Sequence, residues 1–85
     1  MIDRLIWTIA AWEDYEYWQA QDRRTLKRIN VLLRDCLPEP FAGIGKPEPL
    51  KENLAGFWSR RIDETNRLVY AVEKEAIVVI ACRYH

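Results

Sequence analysis

The segment GFWSRRIDETNRLVYAVEKEAIVVIACRYH (56–85) decides the fold. It contains three runs rich in β-branched and aromatic residues, FWSRRI, RLVYAV and AIVVIACRY, and the polar stretches DETN and EKE separate them. Such runs favour strands, and short polar stretches between them are typical of turns. The segment is therefore predicted to form an antiparallel meander of three strands.

The N-terminal part predicts a strand followed by a helix. The run RLIWT (4–8) has the composition of a short strand, and the hydroxyl of Thr8 suits the N-cap of a helix. Trp12, Tyr15 and Trp18 then recur at helical spacing, with acidic residues between them. We expect a first helix with an acidic outer face.

A second helix is predicted to begin after Asp22, a residue suited to the N-cap, and to end before Pro38. Its buried stripe consists of Leu26, Ile29, Leu32, Leu33 and Cys36. Its other side carries basic residues, Arg23, Arg24, Lys27, Arg28 and Arg34. A solvated face is the favoured interpretation of this charge, and contact with phosphate is the alternative.

These elements predict an α+β fold with the order β-α-α-β-β-β. Two N-terminal helices would pack on one face of a small, mainly antiparallel sheet, and the other face would be free to bind. The connection 37–56 holds four prolines and three glycines and is predicted to be long and irregular. The whole chain, 1–85, is expected to be one domain.

Composition excludes several classes of function. Thirteen basic residues balance thirteen acidic ones, so no overall field draws the chain to nucleic acid or to an anionic membrane. No apolar run approaches the roughly 20 residues of a membrane span. Cys36 and Cys82 are expected to be buried packing residues in a reducing compartment. We therefore expect a cytoplasmic protein that does not enter a membrane.

Arginines flank the predicted turn of the meander. Arg61 and Arg67 lie six positions apart across this turn, and neighbouring strands are about 4.8 Å apart. The two side chains could therefore reach one anion. The alternative is that they pair with acidic residues of the turn, such as Asp63 and Glu64.

The sequence resembles a known family. The segments KPEPLK (46–51), GFWSRRI (56–62), RLVYAV (67–72) and RYH (83–85), in this order and at these separations, are similar to the YoeB (Txe) toxins, a branch of the RelE/ParE superfamily. The resemblance runs from Leu5 to His85. It implies a toxin of a toxin-antitoxin pair, with two helices on a small antiparallel sheet.

The activity implied by this resemblance is ribosome-dependent cleavage of messenger RNA. Members of the family cut in the decoding site of the 70S ribosome without a metal, by attack of a ribose 2′-hydroxyl on the adjoining phosphate. A YefM-like antitoxin holds them inactive, and they tend to be homodimers. A toxin of the same superfamily that acts only by binding a target such as DNA gyrase is the alternative.

The family motifs imply roles for particular residues. Glu48 would be the general base, Arg67 the clamp for the phosphate, and His85 the general acid. Lys51, Arg61 and Tyr84 would help to hold RNA. One further aromatic residue commonly follows the histidine in the family and is thought to help place it. We therefore expect this chain to cut more slowly than the same chain extended by tyrosine.

The chemistry of these side chains fits the implied reaction. RNA transesterification needs a base, an acid and a cation near the phosphate, and the ordinary pKa values of glutamate and histidine suit the first two roles at neutral pH. One histidine and two separated cysteines do not form a metal-ligand cluster of the usual spacing. No metal or other cofactor is predicted.

Overall fold

The computed structural model of the chain describes residues 1–84, which form an α+β fold. The elements in chain order are β1 (Arg4–Trp7), α1 (Ile9–Gln21), α2 (Arg23–Cys36), β2 (Glu48–Pro49), a short 3-10 helix (Glu52–Leu54), β3 (Phe57–Arg61), β4 (Arg67–Glu73) and β5 (Ala76–Ala81). The predicted order of helices and strands is confirmed. No helix among residues 1–84 is long and apolar enough to cross a membrane.

Side-chain caps set where the two helices begin. The Thr8 hydroxyl accepts a hydrogen bond from the backbone N–H of Ala11, at 3.1 Å. The Asp22 carboxylate accepts from the backbone N–H groups of Arg24 and Thr25. Each cap satisfies N–H groups that have no partner inside the helix, so both predicted N-caps are confirmed.

Five strands form one sheet in the order β1-β5-β4-β3-β2. The strands β3, β4 and β5 pair antiparallel in chain order, as the predicted meander requires, and β2 pairs antiparallel with the free edge of β3. The first strand, β1, joins the edge of β5 in parallel. The sheet is therefore mixed, but mainly antiparallel.

The hydrophobic core lies between the helices and one face of the sheet. The helices contribute Ala11, Trp18, Ile29, Leu32, Leu33 and Cys36 to it, and the strands contribute Leu68, Tyr70, Ile77 and Val79. The predicted stripe of α2 is therefore its packed face. Cys36 and Cys82 are both buried and free, and burial raises the pKa of both thiols, that of Cys82 to about 12. They are packing residues, as expected.

Two predicted boundaries are wrong. The connection between α2 and β3 is not wholly irregular, because Glu48 pairs with Ser59 and forms the short strand β2. The last strand ends at Ala81 and does not continue to Tyr84. It ends there because side chains of helix α1 bind both backbone polar groups of the next residue, Cys82. The Asp14 carboxylate accepts a hydrogen bond from the Cys82 N–H at 3.0 Å, and the Trp18 indole donates to the Cys82 carbonyl at 2.8 Å.

The same contact corrects the expected acidic face of α1. Asp14 is half-buried and is used by the chain end, whereas Glu13 and Glu16 are exposed. The basic side of α2 is mostly exposed, in agreement with the solvated face that was favoured. Arg28 also donates to the carbonyl of Arg61 at 3.2 Å and so links α2 to the end of β3.

Candidate functional site

An arginine and a glutamate meet on the sheet face that points away from the helices. Nη1 of Arg67 lies 2.8 Å from Oε1 of Glu48 and 3.0 Å from Oγ of Ser59. The carboxylate and the hydroxyl oxygen accept, and the guanidinium donates. The serine is fully buried, whereas the side chains of Arg67 and Glu48 are 25% and 54% exposed. The Glu48–Arg67 pair is thus accessible to solvent, and the buried hydroxyl of Ser59 lies beneath it.

The strand register brings these residues together. Glu48 lies opposite Ser59 in the β2–β3 pair, and Arg61 lies opposite Arg67 in the β3–β4 pair. Successive side chains alternate between faces, so all four belong to the face away from the helices. The short strand β2 therefore carries the glutamate across β3 to the arginine of β4.

The alternative pairing of arginines with turn acids is wrong for Arg67, whose acidic partner is Glu48. The Asp63 carboxylate instead accepts hydrogen bonds inside the turn, from Thr65 and Asn66. Burial alone would raise the pKa of Asp63, but these hydrogen bonds outweigh that effect and lower it. Arg61 is exposed beside Arg67, as expected for two arginines that flank one hairpin.

The remaining predicted residues lie around this pair in different ways. Tyr84 is next to it through the backbone, because the Arg67 N–H donates to the Tyr84 carbonyl at 2.9 Å. The residue is 57% exposed. Lys51 is exposed on the connection just beyond β2. His85 lies outside the described residues, so its predicted role stays a prediction.

Sequence reasoning missed a second arginine, Arg60, which is fully buried on the helix side of the sheet. Its Nη1 donates to the Asp35 carboxylate at 2.7 Å and to the Ile44 carbonyl at 3.2 Å. Its Nη2 donates to the carbonyls of Glu39 and Ala42, and its Nε donates to the Tyr70 hydroxyl. This guanidinium holds the loop 38–45, and we call the arrangement the Arg60 clasp.

The loop that the Arg60 clasp holds leads to strand β2, which carries Glu48. The Tyr70 hydroxyl donates to the Pro40 carbonyl at 2.7 Å, and the Arg61 N–H donates to the Gly45 carbonyl at 2.7 Å. Only Lys46 and Pro47 then separate Gly45 from Glu48. Strand alternation in FWSRRI puts Arg60 on the same face as Trp58 and Ile62, and this pattern was the signal that could have revealed its burial.

Residue Asn66 was also missed. It is buried, with 8% exposure, and its side chain bonds both to the turn and to the chain end.

Residues 1–84 contain no group of three or more His, Cys, Asp or Glu side chains placed to hold a metal ion.

Comparison with known proteins identifies the class. The sequence model of a family described as "YoeB-like toxin of bacterial type II toxin-antitoxin system" matches residues 7–85. The toxin YoeB of Escherichia coli K12 is 57% identical over 82 residues, which are 96% of this chain and 98% of that protein. The chain therefore belongs to the YoeB-like toxins of bacterial type II toxin-antitoxin systems.

Solved structures agree with this assignment. A YoeB/ParE toxin from Agrobacterium tumefaciens superposes with a TM-score of 0.95 at 49% identity, covering 98% of this chain and 99% of that one. YoeB of Staphylococcus aureus in a heterotetrameric YoeB-YefM complex superposes with a TM-score of 0.90 at 42% identity, covering all of this chain and 98% of that one. The structure of the S. aureus YoeB dimer also gives a TM-score of 0.90, at 43% identity, and covers 96% of this chain and 95% of that one. The fold described above is thus the fold of this toxin family.

Proposed function

We propose that this chain is a metal-independent endoribonuclease that cleaves messenger RNA in the A site of the 70S ribosome and so inhibits translation. The observation that carries the proposal is the Glu48–Arg67 pair above Ser59, since it sets a carboxylate and a permanent cation side by side on an accessible surface. A base and an anion clamp are two of the three groups that RNA transesterification needs.

The reaction begins at the ribose 2′-hydroxyl. Glu48 takes its proton, and the 2′-oxygen forms a bond to the adjoining phosphorus. The bond from phosphorus to the 5′-oxygen of the next nucleotide breaks, and His85 gives that oxygen a proton. The products are a 2′,3′-cyclic phosphate and a 5′-hydroxyl, and no metal or other cofactor takes part.

Arg67 acts on the phosphate. In the free protein its Nη1 is held by Glu48 and Ser59. A bound phosphate brings acceptors of its own, so the guanidinium can turn toward the phosphoryl oxygens while Ser59 keeps one donor in place. A guanidinium stays charged and presents its donors in a plane, which suits the charge that builds on those oxygens in the transition state.

Binding of RNA is assigned to the surrounding residues. Arg61 lies exposed beside Arg67, Lys51 lies exposed beyond β2, and the exposed ring of Tyr84 offers a surface on which a base can stack. The formal net charge of zero gives little attraction to free RNA. This fits an enzyme to which the ribosome presents the substrate.

A YefM-like antitoxin and a second copy of the chain are the proposed protein partners. The heterotetrameric YoeB-YefM complex and the YoeB dimer, both of S. aureus, support these two assignments. Because the ribosome is its substrate complex, the protein is proposed to act in the cytoplasm.

The test is cleavage of a defined messenger RNA on programmed ribosomes, with analysis of the ends. We expect a 2′,3′-cyclic phosphate and a 5′-hydroxyl, whereas metal-assisted hydrolysis would leave other ends. Glu48→Gln keeps the shape of the side chain and removes the base, so it should lose on the order of 10²-fold or more in rate.

The same variant separates the enzyme from a toxin that acts by binding. Glu48→Gln keeps the fold and nearly the whole surface, so a gyrase-binding toxin would still arrest growth with this substitution. Growth arrest that survives Glu48→Gln, without cleaved messenger RNA, would refute the proposed nuclease.

A further inference from the structure

The backbone of the chain end is bound to the first residues of β4. The Tyr84 N–H donates to Oδ1 of Asn66 at 2.7 Å, and the Arg67 N–H donates to the Tyr84 carbonyl at 2.9 Å. Two consecutive residues, Asn66 and Arg67, therefore hold both backbone polar groups of Tyr84. One of these two residues, Arg67, is the proposed phosphate clamp.

The orientation of the Asn66 amide is determined by Asp63. Nδ2 donates to both carboxylate oxygens of Asp63, at 3.2 and 3.1 Å, and the Asn66 backbone N–H donates to Oδ1 of Asp63. An ionised carboxylate only accepts, so the nitrogen of the amide must face Asp63. The amide oxygen is thereby directed to the Tyr84 N–H.

Tyr84 has a backbone conformation that needs such support. Its φ is 65°, in the left-handed region that residues other than glycine rarely adopt. Residues held in this region persist when their surroundings fix them. The hydrogen bonds from Arg67 and to Asn66 are those surroundings on the sheet side.

Helix α1 holds the preceding residues on the other side. Asp14 and Trp18 bind the backbone of Cys82, and the Arg83 guanidinium lies 3.5 Å from the centre of the Tyr17 ring. Loss of the Asn66 contact would therefore leave Tyr84 held on the sheet side by the Arg67 N–H alone, without releasing β5.

We propose that Asn66 is a positioning residue for the reaction described above. It fixes the peptide unit of Tyr84, from which the chain continues to His85, at a constant place relative to Arg67. The inference rests on the proposed function, in which His85 supplies the proton and Arg67 binds the phosphate. Catalysis needs those two groups in a fixed relation, and a displacement of about 1 Å can cost on the order of 10²-fold in rate.

Three single variants separate this role from a general role in folding. Asn66→Ala removes the link to Tyr84. Asp63→Ala removes the four hydrogen bonds that the Asp63 carboxylate accepts in the turn, including the two that orient the Asn66 amide, but leaves the Asn66 side chain itself in place. Thr65→Ala, in the same turn, is the matched control. The Thr65 side chain is exposed, and the residue contacts Asp63 only through its backbone N–H, which the substitution keeps.

Ribosome cleavage and amide exchange are the two measurements. For Asn66→Ala we expect kcat to fall at least about 10-fold with a smaller change in KM, because the phosphate clamp remains and its geometry toward the acid is lost. Hydrogen exchange followed by NMR should show that the Tyr84 amide loses protection. Asp63→Ala should lower Tm. It should lower kcat only to the extent that the Tyr84 amide loses protection, since Asn66 can still offer its oxygen to Tyr84.

A charge swap provides rescue. Asn66→Asp alone places two carboxylates side by side and should impair cleavage. The double variant Asp63→Asn with Asn66→Asp restores a donor opposite an acceptor and keeps an oxygen for Tyr84, so it should recover kcat relative to Asn66→Asp.

Two results would overturn the inference: wild-type kcat in Asn66→Ala despite loss of Tyr84 protection, or an equal loss of kcat in Asp63→Ala with Tyr84 still protected. Absence of cleavage by the wild-type chain would overturn the proposed function instead. In that event the amide exchange data still decide whether Asn66 holds Tyr84.

Discussion

Arg60 and Arg67 lie on adjacent strands and point to opposite faces of the sheet, and the fold uses them in opposite ways. The Arg60 guanidinium is fully buried, and its five hydrogen bonds go to one carboxylate, one hydroxyl and three carbonyls. A guanidinium has five N–H donors, so this one has none left for a ligand. Its charge serves the loop 38–45.

Arg67 keeps donors available. Within residues 1–84, the hydrogen bonds of its side chain all use Nη1, and the side chain is 25% exposed. The comparison shows how an arginine that serves only the fold can be distinguished from one that is available to a ligand. The number of donors already used and the access to solvent are more informative than the residue type.

The pKa values of the clasp follow from the same arrangement. Burial alone would lower the pKa of Arg60, but the hydrogen bonds with Tyr70 and Asp35 outweigh that effect and raise it. Burial raises the pKa of Tyr70 to about 12, so its hydroxyl stays protonated and can donate to Pro40. The clasp is thus stable in one protonation state throughout the neutral range.

The largest expected effect is on catalysis, at Arg67. Arg67→Ala should reduce ribosome cleavage by about 10³-fold, because it removes donors that act on charge developing in the transition state. Arg61→Ala, the neighbour across the β3–β4 pair, should lose less and mainly in KM, since it is assigned to binding. Single-turnover cleavage measures both. Equal losses in kcat would contradict the different roles.

The next effect is on stability, at Arg60. Arg60→Met should lower the free energy of unfolding by about 3 kcal/mol, because it leaves the Asp35 carboxylate and several carbonyls without their partner. Arg67→Met should lower it by no more than about 1 kcal/mol, since its ion pair is accessible to solvent. Urea unfolding followed by tryptophan fluorescence compares the two. A larger loss at Arg67 would reverse the assignment of the two arginines.

The sequence predicted the parts of this comparison that depend on local pattern. Thr8 and Asp22 cap helices because short polar side chains serve that purpose wherever a helix starts. The position of Arg61 and Arg67 on either side of one predicted turn indicated that they are neighbours, and the strand register pairs them. The family motifs supplied Glu48, and the structure brings it to Arg67. The roles of Glu48 and Arg67 in catalysis stay predictions, as does that of His85.

The parts that could not be predicted depend on contacts between distant positions. The partners of the buried Arg60 are Asp35 of α2, 25 positions away, and backbone carbonyls whose direction no pattern encodes. The end of β5 at Ala81 depends on Asp14, 68 positions away from Cys82. Strand propensity continues beyond Ala81, but these tertiary hydrogen bonds override it.

A glycine comparison sharpens the account of the clasp. Gly43 has a φ of 123°, and a Cβ there would overlap the Asp35 carboxylate and crowd the Arg60 guanidinium. Gly56 has a φ of 97°, and a Cβ there would meet nothing within 4 Å. Gly56→Ala should therefore cost about 1 kcal/mol from backbone conformation alone, and Gly43→Ala about 2 kcal/mol. Thermal unfolding of both variants checks the order, and equal costs would mean that the loop 38–45 yields easily.

The smallest effect concerns the charge of Asp35. The backbone N–H of Ile44, and then the Arg60 guanidinium, lower the pKa of Asp35 below its ordinary value of 3.8. Because the folded-state pKa is the lower one, the ionised carboxylate stabilises the fold at every pH above that ordinary value. This contribution is lost as the pH falls through the folded-state pKa. It is modest, because the side chain of Asp35 remains 37% exposed and solvent screens it.

Asp35→Asn isolates this contribution, because an amide oxygen can still accept from Ile44 and Arg60 while the negative charge is gone. We expect the variant to have a lower Tm than the wild type at pH 6, and the difference to shrink as the pH falls below the ordinary value of 3.8. Asp22 and Asp63 also have lowered pKa values, but they are present in both proteins and cancel in the difference. A Tm difference that stays constant down to acid pH would show that the clasp depends on hydrogen bonds alone. Arg60 would then hold its loop as a set of donors, and its charge would add nothing to the stability of the fold.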